Sequence, residues 1–232
     1  MSQITTLTFF RYNTFLNRAW AFGMMQFAHT PLSKVKGQTT YKLMGSGKDG
    51  FNPFPDWSVY ALLQIWENED AANKFLENSE LMKQYKSKSS EQYTLYLKNL
   101  KSNGSWAGIN PFKKSDTLSE DIPLIAVITR ATIKKRLLFK FWKYVPTSQK
   151  PLEGNKGLIF TKGIGEVPFT QMATFSIWRD KDSLMKFAYG SEEHKKAILD
   201  TKRLDWYKEE LFSRFQPYKS KGNWSEIETL PF

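Results

Sequence analysis

Cysteine is absent from this 232-residue chain, and histidine occurs only twice. The absence of cysteine excludes disulfides, thiolate-bound metals, iron–sulfur clusters and a cysteine nucleophile. Two histidines cannot form a three-histidine zinc site, and an iron site of two histidines and one carboxylate would need both of them. Non-haem metal catalysis is therefore disfavoured. We interpret one of the two, His29, as a cap at the end of the first long helix.

Long apolar runs are also missing. No segment reaches the roughly 18 consecutive apolar residues of a membrane-spanning helix, and the first 30 residues lack a secretory signal. Acidic residues are few, 23 against 34 Lys and Arg, which gives a net charge of +11. This charge suggests an anionic partner such as nucleic acid, an acidic lipid surface or haem propionates. We expect a cytoplasmic protein, with peripheral contact at the inner membrane as a further expectation.

Basic charge is densest in residues 130–143, where Lys and Arg alternate with bulky apolar residues and no acid occurs. The pattern predicts an amphipathic helix with a solvated basic face, or a surface that rests on anionic lipid headgroups. Aromatic residues beside basic ones can also bind single-stranded nucleic acid, but no RNP-like motif accompanies them. We therefore expect no nucleic-acid partner.

The chain is internally duplicated. IWENEDAANKF at residues 65–75 returns as IWRDKDSLMKF at residues 177–187, and the closing motif KSNGSW returns as KSKGNW. The starts of the two halves match more loosely, since each has a β-rich run that reaches an arginine, Arg11 or Arg130. Such repetition indicates one structural unit built twice.

Each half has the order strand, helix, two strands, helix, strand, judged from β-branched and aromatic runs bounded by Gly and Pro. This βαββαβ order is typical of a ferredoxin-like unit, whose sheet leaves one apolar face uncovered. We predict an α+β protein in which two tandem ferredoxin-like halves pack sheet to sheet as a dimeric α+β barrel within one chain. The polar segment 113–121 places the boundary between residues 1–116 and 117–232. Exposed sheet edges on such halves favour a homodimer.

Duplicated halves are most informative where they differ, and His194 stands where the first half has Met82. On a helix that Ser191 would cap, His194 shares the less polar stripe with Ala197 and Ile198, so it is expected to face inward. An inward imidazole fits two interpretations. It is either a core histidine satisfied by hydrogen bonds or an axial ligand to haem iron.

Several motifs in combination resemble the spheroidene monooxygenase family. They are Arg11 with WAFGM at residues 20–24, and the segments 41–47, 129–133, 163–168, 174–178, 194–198 and 206–211. The resemblance runs through nearly the whole chain. It implies a haem-dependent monooxygenase that inserts oxygen at the end group of a linear carotenoid, using O2 and an electron donor.

The resemblance also implies haem b in a tandem α+β barrel related to chlorite dismutase-like and dye-decolourising peroxidases. In such barrels an axial histidine lies on a helix of the second half, and His194 matches that position as the iron ligand. The first half would then hold no iron ligand and no haem. A carotenoid lies in the bilayer, so the enzyme must approach the membrane, and the basic segment offers a contact.

We expect Arg130 and Lys162 to bind the haem propionates, because guanidinium and ammonium groups pair well with carboxylates. The aromatic candidates for lining the pocket are Phe160, Phe169, Phe175 and Trp178. No catalytic side chain is identified. Three alternatives stay open: a haem enzyme of dehydratase or peroxidase type, a non-catalytic haem-binding protein, and a binding or structural barrel without haem.

Overall fold

The described residues of a computed structural model are 2–48, 52–149, 152, 154–190 and 204–232, and they confirm the order of elements in each half. The first half contains β1 (Ile4–Arg11), α1 (Phe15–Phe27), α2 (His29–Leu32), β2 (Gln38–Gly47), β3 (Pro55–Trp66), α3 (Glu69–Asn78), α4 (Glu80–Lys88) and β4 (Glu91–Gly104). The second contains β5 (Ile125–Ile133), a short 3-10 helix (Lys135–Leu137), α5 (Leu138–Gln149), β6 (Leu158–Val167), β7 (Gln171–Trp178), α6 (Lys181–Gly190) and β8 (Tyr207–Gly222).

The eight strands close into one antiparallel barrel in the order β1-β3-β2-β6-β7-β5-β8-β4. Each half contributes four neighbouring strands, and two seams join the halves, where β2 pairs with β6 and β4 pairs with β8. The predicted fold class is therefore confirmed. Every strand has two paired neighbours, so the sheet edges on which the homodimer expectation rested are used within the chain.

A glycine on each side explains the repeated closing motif at the β4–β8 seam. Gly104 and Gly222 have φ values of 92° and 90°. A Cβ on Gly104 would lie 2.1 Å from the carbonyl oxygen of Glu210, and one on Gly222 would lie 2.0 Å from that of Gln92. Only glycine fits both the conformation and the close approach. KSNGSW and KSKGNW therefore repeat because the seam requires a glycine from each half.

The main hydrophobic core fills the barrel, and all eight strands contribute to it. Side chains alternate between the two faces of a strand. Strand β5 thus points Ile128 and Arg130 into the barrel, while Thr129 and Ala131 point outward toward the helical layer. The outer face of each half is the surface that its helices can cover.

Short polar side chains cap the starts of α1, α3 and α4. The hydroxyl of Thr14 accepts a hydrogen bond from the amide of Asn17, and that of Ser79 accepts one from the amide of Met82. Each cap satisfies an amide that the helix itself leaves free. None of the helices among the described residues is long and apolar enough to cross a bilayer.

The basic segment 130–143 is not one helix, and this part of the sequence prediction is wrong. Its first four residues complete β5, and α5 begins only at Leu138. The β-branched Thr132 pairs with Gln171 in the sheet, and the amide of Lys134 bonds to the carbonyl oxygen of Trp206. Strand pairing therefore overrides the helical spacing of the charges. His29 likewise opens α2, one residue beyond the cap of α1.

Candidate functional site

Arg130 lies inside the barrel, where it is almost completely buried and pairs with Glu209. The same carboxylate accepts hydrogen bonds from the amide of Gly108 at 2.7 Å and from the hydroxyl of Ser105 at 2.9 Å. Burial alone would raise the pKa of Glu209, but these donors, Arg130 and the amide of Ala107 lower it to about 2. Arg130 is thus already neutralised by a carboxylate of its own chain.

Lys162 and Phe175 also point into the barrel. The ammonium of Lys162 is 3.0 Å from the carboxylate of Asp56, which joins the two halves beside the β2–β6 seam. The ring of Phe175 packs against Phe9 and Phe160 in the core, with ring centroids 5.8 Å and 6.3 Å away. The sheet therefore separates these two predicted site residues from the outer face of their half.

Trp178 is the predicted aromatic residue that faces outward. Its ring packs against Phe187 at 4.9 Å, and its Nε1 donates to the hydroxyl of Ser176 at 2.9 Å. The last aromatic candidate, Phe169, lies in the turn between β6 and β7, and its carbonyl oxygen accepts a hydrogen bond from Trp142. Among the predicted aromatic residues, then, Trp178 is the one placed against the outer face of the second half.

The strand registers correct the match between Arg11 and Arg130. Arg130 pairs with Ala173, and Phe9 pairs with Ala61. Ala61 and Ala173 are equivalent in the repeat, because both precede the Ile-Trp pair by four residues. Arg130 therefore takes the place of Phe9, and the looser alignment of the starts is off by two residues. Side chains alternate between the two faces of a strand, so a shift of two residues leaves each side chain on the same face. The sequence pattern therefore fits both alignments equally well.

In the first half, large side chains fill the outer face of the sheet. Leu43, Leu62, Phe10 and Tyr60 are buried there in one hydrophobic cluster with α1 to α4. The ring of Phe10 lies 4.7 Å from that of Tyr85. Burial raises the pKa of Tyr85, and burial with the nearby Asp56 carboxylate raises that of Tyr60 to about 12. This face is a closed, structural core.

In the second half, the equivalent positions carry smaller side chains. The paired Leu43 and Leu62 are replaced by the paired Gly163 and Thr174. Phe10, which pairs with Tyr60, is replaced by Ala131, which pairs with Met172. The outer face of this half therefore lacks the side chains that close the first one.

Two threonines at equivalent positions measure the difference between the faces. Thr8 pairs with Leu62, and Thr129 pairs with Thr174, so they correspond in the repeat. Thr8 is fully buried and hydrogen-bonds to Thr94, whereas Thr129 is exposed. The neighbour of Thr129 on β8, Phe212, is also partly exposed. The middle of the second outer face is thus open at a point where the first is sealed. We call this open region the outer cleft, defined by Thr129, Ala131, Gly163, Thr174 and Phe212.

Apolar side chains wall the outer cleft at both ends. The single cluster of the first half is here divided into two. One contains Ile133, Phe141, Val145, Met172 and Trp206, and the other contains Val127, Trp178 and Leu184. Along β5 the cleft residues Thr129 and Ala131 lie between the two clusters. The sheet forms the floor between these two clusters.

A cation also borders the cleft. Arg214 pairs with Val127 on the outer face, and its guanidinium lies 5.2 Å from the ring of Phe212. Its Nε is buried and has no hydrogen-bond partner among the described residues. The Nε atoms of Arg11 and Arg130 are also unpartnered, but those two guanidiniums pair with carboxylates, whereas Arg214 pairs with none among the described residues. Arg214 is therefore free to pair with an anionic group. Sequence reasoning missed Arg214, although comparison of the outer positions of the two halves sets it against Tyr96.

His194, the predicted iron ligand, lies outside the described residues. Its counterpart Met82 is buried on α4, within the cluster that covers the outer face of the first half. The part of the chain that the structure describes contains no group of three or more His, Asp or Glu side chains that could hold a metal ion. His194 therefore stays a prediction.

No family model matches the chain. The curated spheroidene monooxygenase of Cereibacter sphaeroides is 36% identical over 224 residues, which cover 96% of this chain and 69% of that protein. The one of Rhodobacter capsulatus is 34% identical and covers 95% of this chain and 92% of that protein. The chain belongs to the spheroidene monooxygenase family. The predicted enzyme class, a monooxygenase and hence an oxidoreductase, is confirmed by this membership.

The fold of this family member also resembles the folds of more distant proteins of known structure. A crystal structure of aldoxime dehydratase has a TM-score of 0.62 at 10% identity and covers 94% of this chain and 82% of that one. The aldoxime dehydratase OxdRE in complex with butyraldoxime gives the same TM-score at 9% identity, over 94% and 80% of the two chains. At such identities the likeness concerns the fold, which is again the α+β barrel.

Proposed function

We propose that this family member is a haem-dependent monooxygenase that inserts oxygen at the end group of a linear carotenoid such as spheroidene. Haem b would lie in the outer cleft, with its iron held by His194. The names of the relatives support the substrate class. The observation that carries the cofactor proposal is the contrast between Thr8, which is sealed, and Thr129, which is exposed at the equivalent position.

The cleft suits a porphyrin in shape and chemistry. A macrocycle needs a flat floor, and Gly163, Ala131 and Thr174 keep the sheet surface low where the first half has Leu43, Phe10 and Leu62. Apolar walls favour the ring, because burial of its surface releases water. The described residues therefore fit the group that the family implies.

Repeat symmetry supports His194 as the ligand. Its counterpart Met82 points at the outer face of the first half and is buried there. A residue in the same place of the second half would point at the outer cleft. An imidazole supplies the nitrogen that haem iron accepts, whereas the other histidine, His29, is exposed and its Nδ1 lies 3.0 Å from the hydroxyl of Tyr41.

Arg214 is the described cation best placed for a propionate. It lies on the outer face and forms no ion pair with a described residue, whereas Arg130 and Lys162 lie on the inner face and are bound by Glu209 and Asp56. We therefore propose Arg214 as a propionate partner, and we assign Arg130 and Lys162 to holding the barrel together. Trp178 remains proposed as part of the apolar wall at one end of the cleft.

The side chains of the cleft divide into two chemical groups. When bound, haem supplies an iron at which O2 is activated with electrons from a donor. The hydroxyls of Thr129, Thr174 and Ser176 can hold water or a proton near the haem, since all three lie on the outer face. Met172 and Phe212 offer apolar surface to a hydrocarbon end group and exclude water from it. Peripheral membrane contact and a cytoplasmic location remain predictions.

The experiment that tests the proposal is an absorption spectrum of protein expressed with haem supplementation. Wild type is expected to show an intense Soret band near ~400 nm, and His194→Ala is expected to lose or shift it. His29→Ala is the matched control, since it removes the other histidine of the chain and should leave the band unchanged. A folded wild type that binds no haem would overturn the cofactor and leave a barrel without haem. Haem-loaded wild type that fails to oxygenate spheroidene with O2 and a reductant would favour another haem chemistry or a carrier.

A further inference from the structure

Helix α1 carries its large apolar side chains on the solvent side. Phe15 is 82% exposed, Leu16 78%, Phe22 58% and Phe27 72%. Only Ala21 of this helix is buried. A surface helix of a globular protein normally shows the reverse pattern, with apolar residues toward the core. The exposed side of α1 is therefore largely uncovered by the described part of the chain.

The apolar surface continues from α1 onto the start of β3. The ring of Trp57, which is 52% exposed, packs against that of Phe22 with centroids 5.4 Å apart. Phe54 precedes it by three residues and is equally open to solvent. We call these six side chains the aromatic face; they are Phe15, Leu16, Phe22, Phe27, Phe54 and Trp57. Monomeric soluble proteins rarely expose so many large apolar side chains on one helix and on the strand that contacts it, and this indicates a binding surface.

The segment that carries α1 has charged side chains of one sign. Residues 1–48 contain six Lys and Arg and no Asp or Glu. Lys34, Lys36 and Lys48 are exposed, and none of them forms an ion pair with a described residue. Arg18, on α1 itself, donates only to the carbonyl oxygen of Tyr12 at 2.9 Å. Arg11 and Lys42 pair with Glu91 and Glu166, so Arg18, Lys34, Lys36 and Lys48 are the exposed cations of this segment that no described acidic residue compensates.

We propose that the aromatic face docks onto the surface of an anionic lipid bilayer. Trp and Phe side chains partition into the interfacial region, and Lys and Arg beside them bind acidic headgroups. A second copy of the chain is a poorer partner, because a symmetric contact would bring two positive rims together. The basic segment 130–143 is less suitable, since Phe139 is its one large apolar side chain that is strongly exposed, against six on the aromatic face.

The position of the aromatic face also relates it to the outer cleft. Trp57 follows Asp56, whose carboxylate binds Lys162 on β6 at the seam between the halves. On β6, Gly163 is the next residue, and it forms part of the outer cleft. If the proposed function holds, docking through this face would bring the enzyme to the bilayer that contains its hydrocarbon substrate. The docking itself does not require haem, so the two proposals fail separately.

Vesicle flotation tests the proposal with full-length protein that has been loaded with haem. Wild type is expected to float with vesicles of phosphatidylcholine and phosphatidylglycerol and much less with phosphatidylcholine alone. The double variant Phe22→Ser with Trp57→Ser should bind at least about tenfold more weakly, because it removes apolar surface from the interface. Lys34→Glu with Lys36→Glu should weaken binding by about tenfold or more and abolish the dependence on anionic lipid.

Phe139→Ser is the matched control, since Phe139 is 87% exposed but lies on the other half. It should float like wild type. Binding that is unchanged in the Phe22 and Trp57 variant, or lost equally in Phe139→Ser, would overturn the proposal. A concentration-dependent dimer that this variant abolishes, in a protein that does not bind vesicles, would assign the face to self-association instead. An unchanged Soret band in each sample shows that a negative result does not come from the haem site.

Discussion

The two halves of the barrel share one sheet plan and differ in what lies on its outer side. In the first half Leu43, Leu62 and Phe10 fill that side and close it. In the second half Gly163, Thr174 and Ala131 stand at the same places and leave a cleft. Duplication thus allows one copy to provide stability while the other gives up part of its core for a site. If the halves divide the two roles in this way, substitutions at equivalent positions should have unequal effects.

Phe10 should be the most sensitive of these positions. Phe10→Ala introduces alanine, the residue type that the open face has at the equivalent position, Ala131. The substitution leaves a cavity beside Tyr60 and Tyr85. We expect the free energy of unfolding to fall by about 3–5 kcal/mol. Chemical denaturation measures it. A loss below about 1 kcal/mol would show that the first outer face is not a packed core and would remove the basis of the comparison.

The ion pairs of the two halves should differ by a smaller amount. Glu209→Gln leaves the buried Arg130 without a charged partner and should cost about 3 kcal/mol. Glu91→Gln, which affects the more exposed Arg11, should cost about 1 kcal/mol or less. Equal losses would indicate that the two arginines have similar surroundings.

The pH dependence of the Glu209 contribution follows from its pKa, which is lowered from 4.5 to about 2 on folding. A lowered pKa stabilises the fold above the ordinary value, and this contribution is lost as the pH falls toward the folded value. The difference in melting temperature between wild type and Glu209→Gln should therefore be full at neutral pH and shrink between pH 4.5 and about pH 2. A difference that grows on acidification would contradict the assignment.

The smallest contrast concerns the two equivalent threonines. Thr8→Val removes a buried hydrogen bond of 2.9 Å to Thr94 and should cost about 1 kcal/mol. Thr129→Val changes an exposed residue and should alter stability by less than about 0.5 kcal/mol in the apoprotein. Unfolding curves of both variants give the comparison. A larger loss at Thr129 would mean that the cleft is closed in solution.

Much of the fold could be predicted from the sequence, because the repeat and the period-two pattern are local signals. The segment TQMATFSIW contains β7, and its alignment with SVYALLQIW already sets Thr174 against Leu62. The open cleft could thus have been found by comparing outward positions. Arg130 and Lys162 were predicted at the propionates from charge alone, and charge does not show which face of a strand a side chain occupies.

Long-range pairing was beyond the sequence. The β2–β6 seam brings Asp56 to Lys162, which is 106 residues away. The pairing of β5 with β8 brings Glu209 to Arg130, which is 79 residues away. The helical spacing of residues 130–143 was real, but the end of β5 overrides it through pairing with β7 and β8. Such contacts depend on the closed barrel rather than on local propensity.

Haem titration of the double variant Gly163→Leu with Thr174→Leu tests the central claim most directly. These substitutions transplant the Leu43 and Leu62 pair of the closed half onto the equivalent pair of the open half. The account predicts a folded protein, with a melting temperature equal to or above that of apo wild type, that shows no Soret band at haem concentrations that saturate wild type. Haem binding by this variant with unchanged affinity and spectrum would contradict it, because the cofactor could not then lie against the outer face of the second half.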